Sequence, residues 1–287
     1  VLTSYVANGV YPDPAHGLNN LRVPERLNKQ DYWYRTEFER PVSPGRTRLA
    51  LAFEGINYAA EIWVNGERLG GTEGAFIRGR FVLPARFQSA SRLAVAVRVA
   101  PPPHPDRPHE ESLTAGPGQN GGAMMIDGPT FGAAQGWDWI PSVRDRNTGI
   151  WQDVLLQATG DARLGDPNVT TVLPLPDNSV AELTISVPVS NDGAIEQDVV
   201  VEARVAGAIL RETARVAPGA TSSVRFTPAR HAALRVRNPQ LWWPNGYGAA
   251  ALQDLAVVAK VGDLVSDSRL IRFGIREISY ELSAVDA

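Results

Sequence analysis

AELTISVPV, residues Ala181–Val189, alternates without a break. Ala181, Leu183, Ile185, Val187 and Val189 occupy every second position, and Glu182, Thr184 and Ser186 stand between them. Successive side chains of a strand point to opposite faces, so this spacing makes one apolar face and one polar face. A helix would need apolar residues three as well as four apart, and no three-residue spacing occurs among these five.

The same period recurs outward in both directions. Val199, Val201, Ala203 and Val205 repeat it, as do Leu255, Val257, Ala259 and Val261. Towards the N-terminus come Leu49, Leu51 and Phe53, then Ile62 and Val64, then Leu93, Val95, Val97 and Val99. Asn65-Gly66 separates EIWV from ERLGG and predicts a tight hairpin, because a type I′ turn needs positive φ at both central residues. Twenty-six glycines and twenty-two prolines punctuate these short runs, as strand-to-strand turns require. A short helix is expected only near Pro24–Gln30. The fold class is therefore all-β.

At 287 residues the chain is long enough for two domains, each with its own core. The stretch Pro101–Gly122 is rich in proline and glycine and too long for a simple turn, so it belongs with the functional surface that follows it. A junction is placed near Gly160–Pro167, which divides the chain into residues 1–160 and 161–287.

A formal net charge of −3 argues against a nucleic-acid surface, which needs clustered cations in excess. No apolar run approaches the roughly 20 residues that cross a bilayer as a helix. The chain has no cysteine, which excludes disulfides, thiolate zinc sites and cysteine nucleophiles. It opens on Val1 without a charged-then-apolar leader, as a mature or trimmed piece would.

Most apparent motifs fail on context. GPGQNG, Gly116–Gly121, fits a dinucleotide fingerprint in letters only, since prolines precede it and no helix follows. His104, Asp106, His109 and Glu110 lie among prolines with no metal-ligand spacing. His16 and His231 stand near no nucleophile motif. Asn168-Val-Thr170 matches a glycosylation acceptor, a short and common pattern. No metal and no cofactor is expected. Glycoside hydrolysis needs two carboxylates held about 5 to 9 Å apart. Asp138 and Asp145 share a segment, but Asp145 sits between Arg144 and Arg146, where a salt bridge pinning the loop is the expected role.

GWDWIPSVRDRNTGIW, Gly136–Trp151, holds three of the seven tryptophans. In an extended segment Trp137 and Trp139 share one side and Asp138 points to the other. Indole faces stack on the C–H face of a sugar ring, and a carboxylate accepts hydrogen bonds from two adjacent hydroxyls. The residues equally suit two core indoles with Asp138 capping a turn. Further on, LWWPNGYG places Trp242 and Trp243 side by side, so they must face opposite ways. One is expected in the second sandwich and the other on the first domain or a third.

YWYRTEFERP (Tyr32–Pro41), EIWVNGERLGGTEGAF (Glu61–Phe76) and QGWDWIPSVRDRNTGIWQDV (Gln135–Val154) resemble the N-terminal sugar-binding domain of family 2 glycoside hydrolases. NPQLWWPNGYG (Asn238–Gly248) and RFGIREISYEL (Arg272–Leu282) resemble the end of that family's immunoglobulin-like second domain. With NGVYPDP (Asn8–Pro14) ahead of them, the set is most similar to the branch of β-mannosidases, endo-β-mannosidases and exo-β-glucosaminidases.

The resemblance implies a galactose-binding-like jelly roll over 1–160 and an immunoglobulin-like sandwich over 161–287. A (β/α)8 barrel carrying the two catalytic glutamates would follow, and no residue of this sequence corresponds to those glutamates. It implies that Trp137, Asp138 and Trp139 are substrate contacts, with Arg144, Asp145 and Arg146 fixing the loop and Trp151 starting the return to the core. The implied partners are a carbohydrate with β-linked mannose, glucosamine or galactose and the enzyme's own barrel, with neither nucleic acid nor membrane. The implied compartment is periplasmic or secreted, and the chain alone is expected to be inactive. The rival expectations are an autonomous carbohydrate-binding module and a purely structural two-sandwich protein.

Overall fold

The computed structural model describes residues 1–41, 44–103, 143–174 and 176–280. Half of these residues, 50%, are in strands and 9% in helices. The all-β expectation holds, and the period-2 runs named above are its strands. Two compact units emerge, Val1–Val42 with Leu49–Gln157 and Ser43–Arg48 with Ala158–Ala287.

The first unit contains β1 (Tyr32–Glu39), β2 (Arg48–Phe53), β3 (Ile56–Asn57), β4 (Ala59–Val64), β5 (Glu67–Glu73), β6 (Gly79–Val82), β7 (Arg92–Ala100), β8 (Gly149–Ile150) and β9 (Val154–Thr159), except for Arg48 and the last two residues of β9, which fall in the second. They form a four-stranded sheet in the order β1-β7-β4-β5, a three-stranded sheet β6-β2-β9 and a two-stranded ribbon β3-β8. Leu93, Val95, Val97 and Val99 of β7 and Ile62 and Val64 of β4 are buried, as their alternation predicts. Leu49, Leu51 and Phe53 of β2 are buried too, but so are Ala50 and Ala52 between them. Small residues let both faces of that strand be covered, which a one-faced alternation does not anticipate.

Asn65 and Gly66 adopt φ of 48° and 83° and join Val64 to Glu67. The Asn65 side-chain oxygen Oδ1 also accepts from the Ala94 N–H at 2.8 Å, which ties the hairpin to β7. The helix expected near Pro24–Gln30 is a 3-10 turn over Glu25–Lys29. It is not alone: the chain opens on a helix over Leu2–Ala7, and Ala85–Gln88 forms another turn. One helical turn has too few residues to show a period, so its tertiary contacts decide it.

The second unit contains β10 (Ala162–Leu164), β11 (Asn168–Val172), β12 (Val180–Asn191), β13 (Gln197–Val205), β14 (Ala208–Val216), β15 (Thr221–Phe226), β16 (Arg235–Arg237), β17 (Gln253–Val261) and β18 (Leu264–Phe273). One sheet is ordered β14-β13-β17-β18, and the other is built around β12. Ala181, Leu183, Ile185, Val187 and Val189 are all fully buried, against Val199, Val201, Leu255 and Val257 from the facing sheet. This is a sandwich core made by two alternating faces.

Pro188 sits inside the long central strand β12, where a missing N–H would ordinarily cost a ladder bond. On that edge β11 pairs with residues up to Ser186 and β10 begins at Val189, so the gap falls between two partners. The Pro188 carbonyl accepts from Gly165 at 2.8 Å across this break. A Cβ on Gly165 would lie 2.9 Å from the proline ring, so the crossing needs glycine.

Trp242 and Trp243 do face different ways, yet neither enters the core. Trp242 is half-buried with the Arg276 guanidinium 4.7 Å from its ring centre, and Trp243 is 43% exposed. Leu241, one residue earlier, packs against the core instead.

Candidate functional site

Trp137, Asp138 and Trp139 lie outside the described residues, as do His104, Asp106, His109, Glu110 and Gly116–Gly121. The structure does describe both anchors of the segment that carries them. β7 ends at Ala100, which pairs with Ala59 of β4, and the Ala100 carbonyl accepts from Tyr58 at 3.3 Å. The chain returns through Val143 to β8, which pairs with Ile56 and Asn57 immediately before β4. Both anchors therefore meet at one end of the first unit.

The returning anchor is a rigid turn. Arg146 and Asn147 have φ of 51° and 56°, and the Thr148 N–H donates to the Asp145 carbonyl at 2.9 Å. Positive φ at both central residues makes this a type I′ turn. Asparagine suits it; arginine does not, and a side chain there costs roughly 1–2 kcal/mol. Long-range bonds offset the strain. The buried Asn57 amide donates to the Arg146 carbonyl at 2.9 Å and to the Asn147 carbonyl at 3.1 Å.

The arginines do not pair with Asp145, contrary to the sequence expectation. Arg144 and Arg146 both bond the Glu25 carboxylate, the second at 3.1 Å. Asn28 adds a third donor to Glu25 at 2.6 Å and holds the Arg144 carbonyl at 3.0 Å. Asp145 is buried instead, accepting from the Leu2 N–H at 2.7 Å and the Asn147 N–H at 3.0 Å. The loop is pinned as expected, but by a carboxylate more than a hundred residues away. A lone Glu25 at the start of a short turn carries no sequence signal of this role.

Glu25 is itself fixed through its turn, because the Tyr32 hydroxyl donates to the Leu27 carbonyl at 2.6 Å. Burial pushes the Tyr32 phenol up to about 12. Burial also pushes the Glu25 carboxyl up, but Arg144, Arg146 and Asn28 together outweigh it and hold the group below its ordinary value of 4.5. A carboxyl lowered in the folded state stabilises it fully above the unfolded value and loses that contribution as pH falls through the folded one. Glu25→Gln should thus lower stability near neutral pH by about 1 kcal/mol, the upper range for a partly exposed pair. The difference in melting temperature from the parent should narrow well below pH 4.5. A constant difference across that range would assign the loss to packing.

Trp151 is 40% exposed and does not enter the core. Its indole N–H donates to the Ala75 carbonyl at 2.8 Å, and Phe76 meets its ring edge-on at 5.9 Å between centres. Among the described residues, no group of three His, Asp or Glu side chains is placed to hold a metal ion. His231 bonds Glu212 at 2.7 Å beside the second core.

Two family models cover these units. Residues 1–152 match the glycosyl hydrolase 2 galactose-binding domain-like model, and residues 162–276 match the model of glycosyl hydrolases family 2. The chain belongs to glycosyl hydrolase family 2. Its first unit is thus of the galactose-binding-like class and its second of the family 2 immunoglobulin-like class. Among family 2 members, the exo-β-D-glucosaminidase of Streptomyces avermitilis is 29% identical over 99% of this chain and 29% of its own length. The mannosylglycoprotein endo-β-mannosidase of Lilium longiflorum is 28% identical over 100% of this chain and 30% of its own. The crystal structure of the Amycolatopsis orientalis exo-chitosanase CsxA superposes with a TM-score of 0.73 at 26% identity, covering 97% of this chain and 29% of that one. The chain spans less than a third of the length of each of these family 2 relatives.

Proposed function

We propose that this chain is the non-catalytic, substrate-positioning front of a retaining family 2 β-glycosidase of β-mannosidase or exo-β-glucosaminidase type. It would act with a (β/α)8 barrel supplied outside these 287 residues, on a β-linked mannoside, glucosaminide or galactoside, in a periplasmic or secreted setting. The observation that carries the reading is the turn at 143–148, clamped by Glu25, Asn57 and the Leu2 N–H. So many long-range bonds spent on the foot of one loop suit a loop whose tip must be held in place. Trp137, Asp138 and Trp139 would form one wall of a sugar site: indole faces against the ring, and the Asp138 carboxylate on adjacent hydroxyls. They would orient the sugar and select its hydroxyl pattern; bond cleavage would fall to the barrel's carboxylates.

The reading is tested with 4-nitrophenyl β-mannoside, β-glucosaminide and β-galactoside. The intact parent enzyme should hydrolyse at least one of them. This chain alone should hydrolyse none, because orientation without a general acid and a nucleophile leaves little rate enhancement. Turnover by the purified chain that disappears on changing Asp138 or Asp145 would overturn the proposal.

A further inference from the structure

The outward face of the four-stranded sheet in the first unit departs from the usual polar surface of a half-exposed antiparallel sheet. Its outward positions are Trp33, Arg35 and Glu37 on β1, Ala94, Ala96 and Arg98 on β7, and Glu61 and Trp63 on β4. The register sets Trp33 opposite Arg98 and sets Arg35 and Trp63 on either side of Ala96. Two alanines on the central strand thus form the floor of an open trough, with an indole on each bank. A cavity of ≈ 480 Å³ opens there, lined by Trp33, Arg35, Trp63, Asn65, Ala94 and Ala96. Its size falls in the range of roughly 300–1,000 Å³ found for small-molecule sites.

Packing does not account for Trp33, and it accounts for Trp63 only in part, since that ring is half-buried. Trp33 is 61% exposed. The Trp63 N–H is buried without an acceptor among the described residues, a cost that a phenylalanine covering Ala96 would avoid. What tryptophan alone supplies at both positions is a broad flat face.

The charges around the trough are already compensated. Arg98 bonds Asp31 at 2.8 Å and Glu61 at 2.9 Å, and Glu37 lies between Arg35 and Arg92. An anionic ligand would find no free cationic cluster here, and a cationic one no free carboxylate. An uncharged polyhydroxyl ligand is complementary: it stacks on the indoles and hydrogen-bonds to ion pairs at the rim. The two tryptophans are two strand spacings apart and one residue pair out of step, about 12 Å between backbones. That spacing serves different rings of one chain better than two faces of a single ring.

We propose that this trough binds an uncharged oligosaccharide chain, with Trp33 and Trp63 as two stacking platforms. The proposal uses none of residues 137–139 and stands whether or not they touch substrate.

The test is titration calorimetry of the chain with β-1,4-linked mannohexaose, cellohexaose and N-acetylchitohexaose, and with mannose and glucose. At least one hexasaccharide should bind measurably, and the single sugars should bind at least tenfold more weakly. Trp33→Ala and Trp63→Ala should each weaken the hexasaccharide at least tenfold, Trp63→Phe less, and Asp138→Ala not at all. Trp33 is exposed enough that its variant should keep the parent melting temperature, which separates lost binding from lost fold. Three results would overturn the proposal: no hexasaccharide binding, equal binding of single sugars, or affinity untouched by Trp33→Ala. A change in sedimentation of the Trp33 variant without a change in glycan binding would instead make the trough a contact between two copies.

Discussion

Replacing Asp138 with alanine in the intact parent protein should, under the proposed function, lower kcat/KM on the order of 100-fold or more and leave the melting temperature nearly unchanged. The proposed role has its carboxylate accepting from two neighbouring hydroxyls of the sugar. Hydrogen bonds to a charged group contribute about 1.5–3 kcal/mol each, so losing two removes about 3 kcal/mol or more. Each 1.36 kcal/mol is tenfold in rate, which sets the size of the effect. The split between parameters adds detail. A loss confined to KM would mean that Asp138 holds the ground-state sugar, and a loss in kcat that its bonds tighten in the transition state. Asp138→Asn should recover part of the activity, since the amide keeps one acceptor. Unchanged kinetics in the alanine variant would return the Trp-Asp-Trp segment to a structural role.

The second large effect falls on stability. Asp145→Ala should destabilise the first unit by about 1–3 kcal/mol, because it strands the buried N–H of Leu2, while the N–H of the exposed Asn147 can turn to water. A shift of about 3–10 °C in its melting transition follows for a unit of this size. The same change should leave the second unit's transition in place, as its core of Leu183, Ile185, Val201 and Val257 shares nothing with that carboxylate. Thermal unfolding followed by calorimetry resolves the two. An Asp145→Ala chain that melts like the parent would show that the turn at 143–148 is held by Glu25 and Asn57 alone. In the intact enzyme this variant should also lose activity despite keeping Asp138, since the foot of the loop would loosen.

These two aspartates show the limit of reading by proximity. Asp145 lies between two arginines in sequence, and in the fold neither arginine takes it. Side chains of consecutive residues diverge in an extended or turning chain, whereas Glu25 arrives from another element at the height of both guanidiniums. Burial of Asp145 beside the opening helix then depends on where Leu2 comes to rest, which no local pattern encodes.

What the sequence determined by itself is everything that rests on a period of two. Alternation at 181–189, 199–205, 255–261 and 93–99 assigned strands and named their buried faces, with only Val261 partly buried, because each strand's pattern is complete within a few residues. Asn65-Gly66 was legible for the same reason, as its φ values are a property of two residues. The five family motifs, in order, placed the chain in family 2. Only the tertiary structure decided which faces meet. It covered both sides of β2, sent Leu241 rather than a tryptophan into the second core, and gave Arg144 and Arg146 to Glu25. It also brought Trp33 and Trp63, thirty residues apart, to the two banks of a trough floored by alanines from a third strand. Strand order and register are set by the whole sheet, so a site assembled across three strands exists only once the sheet has closed.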